Sequence, residues 1–155
     1  MSGDSAGPWL ICRVRGRSCA LPLRDVIETM RPLSMEVVAG TPDFVLGLAT
    51  IRGEPVPIVD AARLLGEEAA STSFERWITM IVGSRRVVLA VDGVLGVRRL
   101  PADARHALPP LLRDAGRDLV SELGMLDESL LLVLRGGHLL PDDVWASMDS
   151  QGFLA

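Results

Sequence analysis

The sequence predicts an all-β fold with short helices, built as two β-units of similar size without a sequence repeat. Two valine-rich stretches, Gly47–Asp60 and Arg86–Val97, carry that reading, because β-branched residues suit a pleated surface and glycines interrupt both runs. Turn signals recur between the apolar runs, and only short segments have a helical composition.

The elements follow in order along the chain. Trp9–Val14 and Ser18–Leu23 form a hairpin, and Val26–Arg31 continues before Pro32. A two-residue turn at Arg15-Gly16 pairs Val14 with Arg17, Arg13 with Ser18 and Cys12 with Cys19. The chain's two cysteines then face each other with Cα atoms about 5.5 Å apart, within disulfide range. Thr41-Pro42-Asp43 opens a turn, and Phe44–Leu48 with Ala49–Ile51 leads into a bend at Arg52-Gly53. In Glu54–Asp60 the alternating Pro55 and Pro57 remove N–H donors from one side of the strand, so that side cannot pair fully. Ala61–Leu65 is a brief helix stopped by Gly66, and Glu67–Ser73 is a polar linker.

Beyond the linker, Arg76–Gly83 and Arg86–Val97 read as strands. Asp92-Gly93 is either a tight hairpin turn or a bulge in one long strand. Leu100–Ala115, with Pro101, Pro109 and Pro110, reads as a loop with a short helix. Val120–Leu126 and Ser129–Leu134 form a second hairpin around Asp127-Glu128. Pro141–Met148, with proline and acids in its first turn, is a final helix.

Composition narrows the function. The 155 residues fit one domain, and 48% hydrophobic with 23% charged residues suits a globular chain. A net charge of −4 gives no footprint for nucleic acid. No charge-free run exceeds eight residues, so no helix is expected to span a bilayer, and the opening Met-Ser-Gly-Asp-Ser lacks a signal-peptide pattern. A cytoplasmic location is expected, and there Cys12 and Cys19 are read as buried free thiols. Catalysis finds no support. The two histidines, His106 and His138, fall in loops far from the cysteines. Ser121 and Ser129 lack a Gly-x-Ser-x-Gly elbow. Asp142 and Asp143 have a plain helix-start role. No enzyme activity, cofactor or metal is expected.

The run Phe44-Val-Leu-Gly-Leu-Ala-Thr-Ile-Arg-Gly-Glu-Pro-Val-Pro-Ile-Val-Asp60 resembles a signature of the CheW-like chemotaxis coupling proteins: glycine, a short apolar stretch, Leu/Ile-Arg-Gly, then Val-Pro-Ile-Val-Asp. Arg63-Leu-Leu65 fits the small helix that follows it, Val88–Val97 resembles the family's Val-Asp-x-Val segment, and Leu123–Leu134 its closing hairpin, followed by Leu139-Leu140. The similarity runs in order from Leu10 to about Trp145. Thr50 stands where many members have asparagine.

The resemblance implies two five-stranded, SH3-like β-barrels packed side by side with an apolar groove between them. On that basis residues 1–155 form a single CheW-like domain. The first barrel is expected over 9–66, the linker over 67–75, the second barrel over 76–140 and the C-terminal helix over 141–149. It also implies a non-catalytic adaptor that bridges the cytoplasmic tip of a methyl-accepting chemoreceptor to the regulatory domain of a CheA-type histidine kinase, at receptor arrays on the inner face of the membrane and without inserting into it. An alternative is a diverged scaffold of a motility or surface-sensing pathway that binds receptors but has lost kinase binding. Carried over by position, Val26, Glu28, Met30, Arg52 and Gly53 are the expected receptor interface, with Glu28 and Arg52 as a pair. Leu46, Gly47, Ile58, Val94 and Val97 are candidates for the kinase side or the inter-barrel groove, although core is the plainer home for most of them.

Overall fold

The structure, a computed structural model, describes residues 7–66, 75–100, 105–107, 120–126 and 129–134. Among these the chain forms eleven strands: β1 (Pro8–Val14), β2 (Arg17–Pro22), β3 (Val26–Met30), β4 (Val45–Ile51), β5 (Glu54–Asp60), β6 (Arg76–Val82), β7 (Arg85–Val91), β8 (Gly93–Arg99), β9 (Arg105–Ala107), β10 (Val120–Leu126) and β11 (Ser129–Leu134). A four-residue helix, α1 (Ala61–Leu64), and a 3-10 turn at Leu23–Asp25 complete the described elements.

Local chemistry explains the hairpins. Arg15 and Gly16 have φ of 50° and 79°, and Arg52 and Gly53 have φ of 51° and 82°. Positive φ at both central residues is the type I′ signature, whose twist matches that of the flanking strands. The first of these turns fixes the expected register, Cys12 opposite Cys19. Both thiols are free and fully buried. The Cys12 thiol is pushed well above its ordinary pKa, chiefly by its hydrogen bond with Cys19 and then by burial. After β5, Asp60 caps α1 by accepting hydrogen bonds from the N–H groups of Ala62 at 3.0 Å and Arg63 at 3.4 Å. Gly66 at φ 95° stops the helix as the sequence suggested.

The strands form two sheets, ordered β8-β1-β2-β11-β10-β9 and β3-β6-β7-β5-β4. Pairing is antiparallel except for β2 with β11 and β5 with β7, which are parallel. The first half of the chain reads hairpin, single strand, hairpin, and the second repeats this with the short β9 added before its last hairpin. The halves are interlaced: each sheet takes its leading hairpin from one half and its other strands from the other. The sheets therefore do not divide the chain at residues 67–75. Pro22 ends β2 and the 3-10 turn carries β3 to the second sheet, while Asp92 carries the chain from β7 back to the first. Asp92-Gly93 is thus neither a hairpin turn nor a bulge but a crossing between sheets. It is anchored there, because the Asp92 N–H donates to the Arg13 carbonyl at 3.0 Å and its carboxylate accepts from the Arg15 N–H at 2.6 Å.

The second sheet curls so that the segment following β3 reaches its far border strand. Glu36, just downstream of the border strand β3, exchanges two 2.8 Å backbone hydrogen bonds with Leu48 on the opposite border strand β4. In the first sheet the border strands are β8 and β9, and the short β9 is a sixth strand beyond the expected five. Pro55 and Pro57 act as anticipated: the parallel pairing of β5 with β7 begins only at Ile58.

Apolar residues pack in three groups. Leu10, Cys12, Val14, Cys19 and Leu21 meet Ile78, Met80, Val87, Leu89 and Val91 in a core shared by both sheets. The alternate residues of the second sheet, Ala49, Ile51, Val56, Ile58, Trp77, Val88 and Ala90, form a second core. Trp9, Ile11, Ala20 and Leu100 form a third. Strands buried on both faces lose the apolar/polar alternation, hence the unbroken run Val87–Val91. The linker stretch 67–74, most of the segment 100–115 and the helix expected over 141–149 lie outside the described residues, except that Arg105–Ala107 forms β9.

Candidate functional site

Glu28 and Arg52 meet as the sequence suggested. The Arg52 Nε and one terminal nitrogen donate to the two Glu28 carboxylate oxygens, each at 2.9 Å. Such a two-pronged pair fixes orientation as well as charge, since the guanidinium fork is planar. Position adds a second role. β3, which carries Glu28, borders the second sheet, and the β4–β5 turn, which carries Arg52, stands at its other side. In a flat sheet β3 and β5 would be about 14 Å apart at three strand spacings. The pair forms because the sheet curls, and it spans the seam near the Glu36–Leu48 bridge.

The pair faces water, with side-chain exposures of 68% for Arg52 and 27% for Glu28. Hydrogen bonding to Arg52 holds the Glu28 carboxyl below its ordinary pKa. The charges of Arg52 and Arg86 pull the same way, against partial desolvation. Arg86 also approaches Glu54 at 4.0 Å, so the end of this sheet carries alternating charge.

The other expected site residues divide by burial. Val26 and Met30 are half-buried, Val26 against the shared core and Met30 against the second. The outward apolar residue of β3 is Ile27, 41% exposed, at the bulge between Val26 and Glu28. Gly53 is exposed in the turn. Of the groove candidates, Ile58 is fully buried and cannot line a surface, because β5 lies between β4 and β7 and its alternate residues point into the second core. Gly47 is also buried. A Cβ there would run into the Glu36 carbonyl, so its lack of a side chain permits the seam to close. Leu46 packs half-buried on the second core and Val94 on the shared one, while Val97 on β8 is 51% exposed beside Leu95.

One feature escaped the sequence reading. Between β3 and β4 the chain runs as an exposed strap whose Leu33, Met35 and Val37 alternate with Ser34 and Glu36. That period of two is a strand signal in its own right. Among the described residues no cluster of His, Cys, Asp and Glu could hold a metal, and no helix is long and apolar enough to cross a membrane. What the arrangement offers is a surface: a bidentate ion pair beside the Glu36–Leu48 bridge of the second sheet, and exposed apolar side chains on β3 and on the strap.

Comparison with known proteins agrees with this picture. The chain matches the CheW-like domain family over residues 8–144. It is 30% identical over 153 residues to the chemotaxis protein CheW of Klebsiella aerogenes, covering 97% of this chain and 92% of that protein. It is 33% identical over 107 residues to the protein FrzA of Myxococcus xanthus, covering 68% and 66% respectively. The solved structure of the scaffolding protein TtCheW from Thermoanaerobacter tengcongensis superposes with a TM-score of 0.75 at 20% identity, over 83% of this chain and 88% of that one. The shared fold is a pair of SH3-like β-units.

Proposed function

Because this chain belongs to the CheW-like domain family and is similar to a chemotaxis protein CheW, we propose that it is a non-catalytic adaptor that couples the cytoplasmic tip of a methyl-accepting chemoreceptor to the regulatory domain of a CheA-type histidine kinase. The observation that carries this reading is the bidentate Glu28–Arg52 pair at the position the resemblance assigned to receptor binding. The pair fixes the end of β3 against the Arg52-Gly53 turn, so the partner meets a preformed surface and little ordering is needed on binding. Ile27, on the same strand, supplies outward apolar contact, and Val26 and Met30 set the strand from beneath. On the other sheet, Val97 with Val94 behind it offers a separate apolar surface for the kinase domain. The protein works in the cytoplasm at receptor arrays.

The test is co-elution in size-exclusion chromatography with a receptor-tip fragment and with the kinase regulatory domain, each alone and together. A three-component complex supports the coupling role. Receptor binding without kinase binding favours the diverged scaffold, and binding to neither overturns the reading.

A further inference from the structure

We propose that the groove between the exposed strap and β4 is a second binding site, which takes an extended peptide carrying alternating apolar residues and a positive charge. The groove has a volume of about 580 Å³ and is lined by Leu33, Ser34, Met35 and Glu36 on the strap and by Leu48–Thr50 and Pro55 on the sheet. Three properties select its occupant.

The first is an unused strand edge. In the β4–β5 register, Leu48 and Thr50 stand opposite Pro57 and Pro55. Prolines have no N–H, so these are the pairs whose β4 backbone groups turn away from β5. Leu48 spends its outward groups on Glu36 at 2.8 Å. Two residues on, the outward N–H and carbonyl of exposed Thr50 meet no backbone partner among the described residues. Donor and acceptor at strand spacing are matched by another extended backbone and not by a helix.

The second is the apolar wall. Leu33 and Met35 are 49% and 39% exposed, and they line the groove two residues apart, matching the alternate side chains of an added strand. The third is charge. Glu36 lines the groove and its carboxylate has no partner among the described residues, whereas the neighbouring Arg52 is already held by Glu28. A positive side chain on the peptide complements it.

The test uses the full chain and a short synthetic peptide in which valine and threonine alternate between two arginines, followed by fluorescence anisotropy and by amide hydrogen exchange. Saturable binding with slowed exchange at Thr50 supports the proposal. Thr50→Pro deletes the outward N–H and should weaken the peptide at least tenfold while keeping the melting temperature near that of the parent. Leu33→Ser with Met35→Ser, which leaves the edge intact, should weaken it similarly. Equal binding of a peptide ended by glutamates, binding unaffected by both variants, or a strap-dependent dimer in sedimentation that occupies the groove would overturn the proposal. Complexes with the receptor tip and kinase domain should survive Thr50→Pro, so this site and the coupling role can fail separately.

Discussion

Replacing Gly47 by alanine tests the seam of the second sheet. The added Cβ would collide with the Glu36 carbonyl oxygen and lie 3.0 Å from its carbon. Both atoms are backbone, so no side chain can rotate aside, and either the strap or β4 must move. The movement breaks the two 2.8 Å hydrogen bonds between Glu36 and Leu48. At about 0.5–1.5 kcal/mol each, their loss costs about 1–3 kcal/mol. Relief of glycine's entropic penalty within a strand offsets about 0.5–1 kcal/mol of this. The net loss of up to about 2.5 kcal/mol, centred at about 1 kcal/mol, corresponds at its centre to a melting temperature lower by about 2–4 °C for a chain of this size. Urea denaturation should show a lower midpoint with an unchanged slope, and the Leu48 amide should lose protection from hydrogen exchange. Gly53→Ala is the control. Nothing lies within 4 Å of its added Cβ, but its φ is 82°. It should cost about 1 kcal/mol through conformation alone and leave the Leu48 amide protected. A Gly47→Ala variant with the parental midpoint and a protected Leu48 amide would refute the close-approach argument.

Three further outcomes are expected. Arg52→Glu should weaken association with the receptor tip about tenfold or more in a pull-down with little change in melting temperature, and adding Glu28→Arg should recover most of the loss; failure of the exchange to rescue would remove the pair from the interface. The Glu28 carboxyl titrates below its ordinary value because of Arg52, so the pair's contribution is present above the unfolded-state pKa and is lost as pH falls through the lowered one; Glu28→Gln should delete that acid-side dependence in melting curves at low salt, and an unchanged curve would contradict it. Asp92→Ala removes the acceptor of the 2.6 Å bond from the Arg15 N–H and should cost about 1.5–3 kcal/mol in urea denaturation, with Asp92→Asn intermediate; a neutral Ala variant would deny the crossing its anchor.

What was legible in the sequence was local. The glycines of Arg15-Gly16 and Arg52-Gly53 mark chain reversals through residue type, and once the first turn is fixed at two residues the Cys12–Cys19 register follows by counting. Gly66 after Leu65 likewise marks the end of α1 through backbone freedom, whereas the Asp60 cap at its start emerged only with the structure. The Glu28–Arg52 pair came from the family pattern, and composition alone would not have joined residues on opposite borders of a sheet. Other features depend on contacts far apart in the chain. Gly47 has no unusual φ, and its need for a bare Cα comes from Glu36. Ile58 sits in a run whose residues are buried on both faces, so no alternation tells groove from core. Asp92-Gly93 has the composition of a hairpin turn, yet β8 pairs with β1, and only that distant partner makes it a crossing. The alternation at Leu33–Val37 was present but brief, and it follows a proline.

The interlacing of the two halves has a consequence for how the protein is made. A ribosome that has released only the first 66 residues presents β1 and β2 without β8 or β11, and β3 without β6, since every one of these partners is encoded later. The second sheet waits for β7, which ends at Val91, and the first for β11, which ends at Leu134. Nascent chains therefore carry open strand edges through most of synthesis, and folding is a late event governed by long-range pairing.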